Sequence, residues 1–440
     1  MDPFFHTGLS ISDLLKTVRK SVLIYETIII RCNESILTQN QICDKQYTKE
    51  ELIMGTTDAI NNASIKSLPM HTFTKLYKCS AQTYYDLFAQ LTKEQKCSFN
   101  IYRKKECVKY TTYSFQHLGF NRIEFIHCIP DKDYHVYKIK FTINPRILTG
   151  QTTNPRTRII DKNKLTQLPN ILDNTIGHIC GPLTEQLTHG KFQRIDYCLN
   201  FWLNSQEVAE EYMRLLKKAF IPHLFKLKKV LNSSQHRYTP EPNAITITCK
   251  SYELSLYLKL PQLIDEIIKH ENILVPSEHT AELRNACGQL RIELREYRRQ
   301  LRNDKKKLHG NSETDLLNGS NHQPFATLCQ RLKSMYGTGD FYMYDDAKDI
   351  VLNSSYTQKL KKELLEILEV VNSKKRGLDP DTNGFDYDYL KSRMRYFNEL
   401  DLSPITISKK SYKHCGEDFF PNPLKYVTGD STKLLLESDL

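Results

Sequence analysis

Three short segments alternate apolar and polar residues with period two, and each gathers its reactive groups on one side. Along residues 194–201, Ile195, Tyr197, Leu199 and Phe201 oppose Arg194, Asp196, Cys198 and Asn200. Along 253–260, Leu254, Leu256, Leu258 and Leu260 oppose Glu253, Ser255, Tyr257 and Lys259. Along 290–295, Leu290, Ile292 and Leu294 oppose Arg291, Glu293 and Arg295. Successive strand side chains point to opposite faces, so each segment predicts a half-buried strand. If the three pair in one sheet, two carboxylates, a tyrosine and several cations meet on its non-core face.

The same pattern reading orders the rest of the chain. Residues 1–20 predict a short amphipathic helix, 22–32 a strand, and 49–62 and 80–93 helical stretches within an otherwise mixed region. From Ile101 the pattern turns to β, most clearly where Tyr137, Ile139, Phe141 and Ile143 alternate with Lys138, Lys140 and Thr142. Residues 165–187 read as helical. Ser205 is the expected N-cap of a helix carrying Val208, Met213, Leu215, Leu216 and Phe220 on one side. A basic loop is expected through Lys226, Lys228, Lys229 and His236. Residues 244–260 predict a hairpin closed by Pro261, then a short helix over 262–270. The stretch 296–308 predicts a basic helix carrying Arg298, Arg299 and Arg302. A polar run rich in Gly, Asn and Ser at 309–322 separates this region from a helical remainder, with 355–371 its clearest helix.

The expected fold is therefore α+β: an antiparallel-rich central sheet with helices on one face and the other open to ligand, followed by a mainly helical C-terminal domain. The division is into 1–130, an N-terminal part of the sheet region with a helical insertion; 131–310, the sheet that carries the chemistry; and 311–440, the helical domain.

Composition adds three things. The 440 residues carry 62 Lys and Arg against 51 Asp and Glu, a formal charge of +11 that favours a polyanionic partner. The 25 Tyr and 19 Phe include rings on which bases could stack, although most are expected in the core. The twelve cysteines form no Cys-x-x-Cys pair, which argues against a zinc ribbon and for a reduced, cytoplasmic protein, with Cys198 and Cys249 as packing residues. No segment reads as a signal peptide or a membrane span.

A tyrosine hydroxyl can attack a phosphodiester, but with a pKa of about 10 it needs a cation, a metal or a base beside it. Lys259, two residues on, could lower the pKa of Tyr257 or neutralise the scissile phosphate; the residues alone favour the plainer reading of Tyr257 as an exposed strand tyrosine beside a solvated lysine. Asp196 and Glu293 could hold Mg²⁺ or Mn²⁺, or pair with Arg194, Arg291 and Arg295. There is no His-x-His, phosphate-binding glycine loop or nucleophile elbow.

In order, these segments resemble the replication initiators of filamentous phages, the gene II type endonucleases, and related phage and plasmid replication proteins. Ser255-Leu256-Tyr257-Leu258-Lys259 is similar to that family's nicking-tyrosine strand, Arg194-Ile195-Asp196 to its Arg-Ile-Asp strand, and Leu290-Arg291-Ile292-Glu293 to its Arg-Phe-Glu strand. The run from Lys138-Ile139-Lys140 to Leu148-Thr149-Gly150 and the segment 340–346 also resemble family stretches. The collinear set spans about 134–350. The resemblance implies a metal-dependent nickase that cuts one origin strand, on single-stranded or supercoiled DNA, and keeps the 5′ phosphate on Tyr257. The 3′ hydroxyl then primes rolling-circle synthesis with a host polymerase and helicase. Phosphate contacts are expected from Arg194, Arg291, Arg295, Lys138, Lys140, Lys228, Lys229, His236, Arg298, Arg299 and Arg302. The residues alone also admit a non-catalytic nucleic-acid binder, or a relaxase or strand transferase using the same tyrosine.

Overall fold

The computed structural model describes residues 68–428 apart from 132–133, 152–159, 161–163, 188–189, 233–236, 241–242, 272–279, 309–311, 318–321 and 374–376. The elements expected over 1–20, 22–32 and 49–62 lie outside the described residues, as does His236.

In chain order the elements are β1 (Met70–Cys79), α1 (Ala81–Ala89), β2 (Asn100–Lys104), β3 (Cys107–Thr112), β4 (Phe120–Asp131), β5 (Tyr134–Ile143), α2 (Pro145–Leu148), α3 (Leu168–Cys180) and β6 (Lys191–Trp202). There follow α4 (Gln206–Leu216), β7 (Lys226–Leu227), β8 (Lys229–Asn232), β9 (Arg237–Pro240), β10 (Ala244–Thr248), β11 (Tyr252–Leu258), α5 (Lys259–Glu271), α6 (Thr280–Ala286), β12 (Gln289–Tyr297) and α7 (Arg298–Lys307). The C-terminal part supplies α8 (Gln323–Tyr336), α9 (Tyr344–Asn353), α10 (Gln358–Asn372), α12 (Tyr387–Glu399) after the one-turn α11 (Pro380–Asn383), and α13 (Lys409–Cys415).

Among the described residues ten strands form one sheet in the order β2-β3-β4-β5-β1-β6-β12-β11-β10-β7, with every pairing antiparallel. The three patterned segments are neighbours in it, with β12 between β6 and β11. Their shared apolar face, including Ile195, Leu254, Leu256, Ile292 and Leu294, is buried in the main core. Helix α4 packs on β11 and β12, and α7 on β6 and β12.

Local signals fix these elements. The Ser205 hydroxyl accepts from the Val208 N–H at 3.2 Å and starts α4. Gly288 sets the entry into β12. Its φ is +68°, and a Cβ there would stand 2.5 Å from the Leu203 carbonyl oxygen. Its N–H donates to Gln206 Oε1 at 3.0 Å, and its carbonyl accepts from the Leu203 N–H. That junction places Arg291 opposite Asn200 and Glu293 opposite Cys198.

Four expectations are corrected. A central strand, β1, lies in the region read as mixed and helical; two register shifts against β6 break its alternation. The basic loop after Phe225 is built from short strands, with β7 on the main sheet and β8 paired to β9. Lys259 does not end a strand but opens α5, because Pro261 sits in the first helical turn, where its fixed φ fits and its missing N–H costs nothing. The polar face of the sheet is not open: Asp196, Asn200, Lys259, Arg291 and Glu293 are all buried.

The polar run at 309–322 marks a change of composition, while the residues on either side share one apolar core. The Tyr212 hydroxyl donates to the Pro421 carbonyl at 2.8 Å and the Tyr336 hydroxyl to the Leu216 carbonyl at 2.8 Å, tying α4 to the C-terminal helices.

Candidate active site

Register alone brings the polar groups into rows. Thr72, Asp196, Arg295 and Glu253 lie side by side across β1, β6, β12 and β11. The next row holds Cys198, Glu293 and Ser255, and the next Asn200, Arg291 and Tyr257. Nothing in this arrangement needs a loop.

Tyr257 is half-buried and its hydroxyl donates to Glu293 Oε2 at 3.0 Å. Burial and then the charge of Glu293 hold the phenol well above its ordinary pKa, while Arg291 opposes them. Arg291 is fully buried and its Nε donates to Asn200 Oδ1 at 2.7 Å. It was expected at a surface phosphate; burial directs it instead to the Tyr257 side of the site. Arg291 stands among the groups acting on the phenol, and Lys259 does not stand among its main influences. Lys259 Nζ donates to Gln262 Oε1 at 2.6 Å within the first turn of α5. Burial and the neighbouring Arg291 lower its pKa to about 7.

The acidic pair is occupied by arginine. Arg295 donates to Glu253 Oε1 at 2.7 Å, to Glu293 Oε1 at 2.9 Å and to Asp196 Oδ1 at 3.2 Å. Arg194 closes on the other Asp196 oxygen at 3.0 Å. Burial and the Glu293 charge push Asp196 up to about 7 in spite of both arginines. Burial also works against the Glu293 carboxylate. His71, Arg295, Arg291 and the Tyr257 hydrogen bond outweigh it, and the Glu293 pKa falls below the ordinary range.

A divalent cation needs free oxygen donors. Each oxygen of Asp196 and of Glu293 already accepts from a side chain, and a guanidinium lies between the two carboxylates. Among the described residues no group of three or more His, Cys, Asp or Glu is arranged to hold a metal. In this arrangement the pair is an ion-pair network and does not fit Mg²⁺ or Mn²⁺.

His71 is the residue sequence reasoning missed. Met70 pairs with Tyr197 and Thr72 with Asp196, so His71 is the extra residue of a β-bulge. Burial, then the positive field of Arg291, lowers its pKa to about 3, with Glu293 acting the other way. It is therefore a neutral imidazole at physiological pH, and it lowers the Glu293 pKa only through its protonated form in acid. A lone histidine before an unrecognised strand carries no signal in the sequence.

The remaining expected cations separate into two groups. Through β1, the face that carries Asp196 continues to Thr142, Lys140 and Lys138 on β5, Arg122 on β4, Lys109 on β3 and Tyr102 on β2. Buried Glu124 takes Lys109 at 3.0 Å, Arg122 at 3.4 Å and Lys140 in a shorter pair. Lys109 also stands over the exposed Tyr102 ring, 5.4 Å from its centre. Lys228 lies 3.8 Å from Glu253, at the rim of the Arg295 network, and Lys229 is exposed. The second group is on α7. Leu301 of that helix enters the main core, so Arg298, Arg299 and Arg302 lie on the helical side of the sheet, away from Tyr257. Arg298 is held by Glu313 at 2.9 Å, while Arg299 and Arg302 are exposed.

No family model matches the chain, and no curated protein does. A solved structure, the rolling circle replication initiator protein from Geobacillus stearothermophilus, is similar at 7% identity and a TM-score of 0.27, over 60% of this chain and 84% of that one. A match of that size says nothing of chemistry. Among the described residues no helix is long and apolar enough to cross a membrane.

Proposed function

We propose that the protein is a DNA strand-nicking enzyme of replication initiation, with Tyr257 as its nucleophile. The observation that carries the reading is the Tyr257 hydroxyl donating to a buried carboxylate, Glu293, beside the buried guanidinium of Arg291. A weak nucleophile, a base in hydrogen-bond reach and a fixed positive charge are what attack on a phosphodiester requires.

As the Tyr257 oxygen attacks phosphorus, its proton passes to Glu293 Oε2. The bond from phosphorus to the 3′ oxygen breaks, and the 5′ phosphate stays on the tyrosine. Lys259, with a pKa of about 7, can protonate the departing 3′ oxygen. The phosphotyrosine ester keeps the bond energy, so the freed 3′ hydroxyl can prime rolling-circle synthesis and the strand can later be rejoined. Mg²⁺ or Mn²⁺ could bind the acidic pair only if Arg295 withdrew from it.

The DNA strand is proposed to lie on the Tyr257 face along Lys140, Lys138, Arg122 and Lys109, with Tyr102 offering a ring for base stacking. Three of these cations share a single carboxylate, Glu124, so the patch keeps a positive surplus. Contacts of this kind make affinity fall steeply with salt. Origin DNA, a host polymerase and a helicase are the partners this reading implies.

One observation favours a second reading. The phenol is held far above neutrality and both acids are neutralised by arginine, as in a structural network under a non-catalytic binding face. A relaxase or strand transferase would form the same adduct and differ in rejoining strands from two molecules. The first two readings are separated by incubating protein with labelled single-stranded DNA from its own replicon. An SDS-stable adduct lost in Tyr257→Phe supports the nickase; salt-sensitive binding with no adduct supports the binder.

A further inference from the structure

Cys107 on β3 and Cys128 on β4 are directly opposite each other in the sheet. The preceding pair, Glu106 and Ile129, is joined by the Ile129 N–H to the Glu106 carbonyl at 2.8 Å. Hydrogen-bonded and non-hydrogen-bonded pairs alternate along an antiparallel ladder, so Cys107 and Cys128 occupy a non-hydrogen-bonded pair, where Cα atoms approach to about 4.5 Å and side chains are closest. That separation is inside the range disulfides span. The two sulfurs already lie 2.7 Å apart, and both residues are only half-buried, so a small oxidant can reach them. Lys138 and Lys109 act on Cys107 and favour its thiolate, against burial and the Cys128 thiol, which together put its pKa at about 11.

We propose that Cys107 and Cys128 are a redox modification site, a dithiol that closes to a cross-strand disulfide when it meets a small-molecule disulfide such as oxidised glutathione. One protein thiolate attacks the small disulfide, forming a mixed disulfide and releasing one thiol. The second protein thiolate attacks the protein sulfur of that intermediate, releasing the other. The protein loses two protons and two electrons, and one small disulfide becomes two thiols. The link fastens β3 to β4, in the half of the sheet that carries Lys109, Lys138 and Tyr102 on the Tyr257 face. None of the Tyr257 site residues takes part.

The test is oxidation of the full chain with oxidised glutathione, alkylation of remaining thiols, and peptide mapping without reduction. The expected result is one linked pair of peptides containing Cys107 and Cys128, reversed by dithiothreitol, with a melting temperature higher in the oxidised than in the reduced protein. Cys107→Ser and Cys128→Ser should each abolish both the linkage and the shift. The proposal is overturned if both cysteines are recovered alkylated, if each carries glutathione, or if the link joins two chains. It does not depend on nicking activity, so its failure would leave the Tyr257 reading untouched.

Discussion

Replacing Arg295 by Met tests the charge arrangement beneath the site. Arg295 serves three buried carboxylates at 2.7, 2.9 and 3.2 Å, and its own side chain is 26% exposed. Among the described residues Asp196 would keep Arg194 at 3.0 Å, and Glu253 would keep the exposed Lys228 at 3.8 Å. Glu293 would keep the Tyr257 hydroxyl as its hydrogen-bond donor. Removing one partner of a buried ion pair costs about 3–5 kcal/mol, and the variant should lose stability in that range near neutral pH. The deficit should shrink in acid. Without the guanidinium, the Asp196 pKa, already raised to about 7, goes higher still, and Glu293 loses one of the charges that lower its own. The folded variant then binds more protons than the unfolded chain, so its stability falls as pH rises through those values. Urea denaturation followed by far-UV circular dichroism, at about pH 8 and about pH 5, measures both effects. A loss below about 1 kcal/mol, or one of equal size at both pH values, would refute the network described for Arg295.

Other expectations follow from the same geometry. Lys259→Met should slow adduct formation and yet be more stable than the parent below about pH 7. The lowered Lys259 pKa means that above about 7 the unfolded chain holds a proton that the folded one lacks, so the parent's burial penalty is relieved as pH rises and the gap closes; a thermal-melt series across pH checks it, and no gap at low pH would count against it. Glu296 and Asp304 are both buried; burial followed by the Asp304 charge holds the Glu296 pKa well above its ordinary value, while burial raises the Asp304 pKa against its hydrogen bonds to Glu296 and Gln300. Glu296→Gln should therefore stabilise the protein by about 1 kcal/mol or more near pH 8 and by little near pH 4, read from urea midpoints. Gly288→Ala should cost about 2 kcal/mol or more, since it meets both a positive φ and the Leu203 carbonyl; an unchanged urea midpoint would contradict that account of the β12 register.

The part of the fold legible in the sequence is the part where one periodicity holds without interruption. Strands β6, β11 and β12 alternate cleanly, and the shared face of Asp196, Glu293 and Tyr257 follows from that alternation. Strand β1 was hidden because a bulge at His71 and a second shift after Thr74 break its period. The nearness of His71 to Glu293 went with it. Lys259 was legible as a neighbour of the tyrosine but not as the first residue of a helix, since Pro261 reads equally as a strand stop and a helix start. Burial of the polar face was not legible at all. Period two says which residues share a face and is silent on what covers it, so Arg291 read as a phosphate ligand instead of a buried group near Tyr257. Helix α7 was legible as a basic helix, but its side of the sheet depends on Leu301 entering the core.

The most direct measurement is the covalent adduct itself, with Tyr257→Phe and Glu293→Gln run beside the parent on labelled single-stranded DNA and on supercoiled plasmid, and denaturing gels read with time. The nickase account predicts an SDS-stable protein–DNA band that is absent in Tyr257→Phe. It predicts that the band forms about 10²–10⁴-fold more slowly in Glu293→Gln, the loss expected for a general base. An adduct that persists in Tyr257→Phe would place the nucleophile elsewhere, and DNA binding with no adduct in the parent on either substrate would contradict the claim that this site nicks DNA.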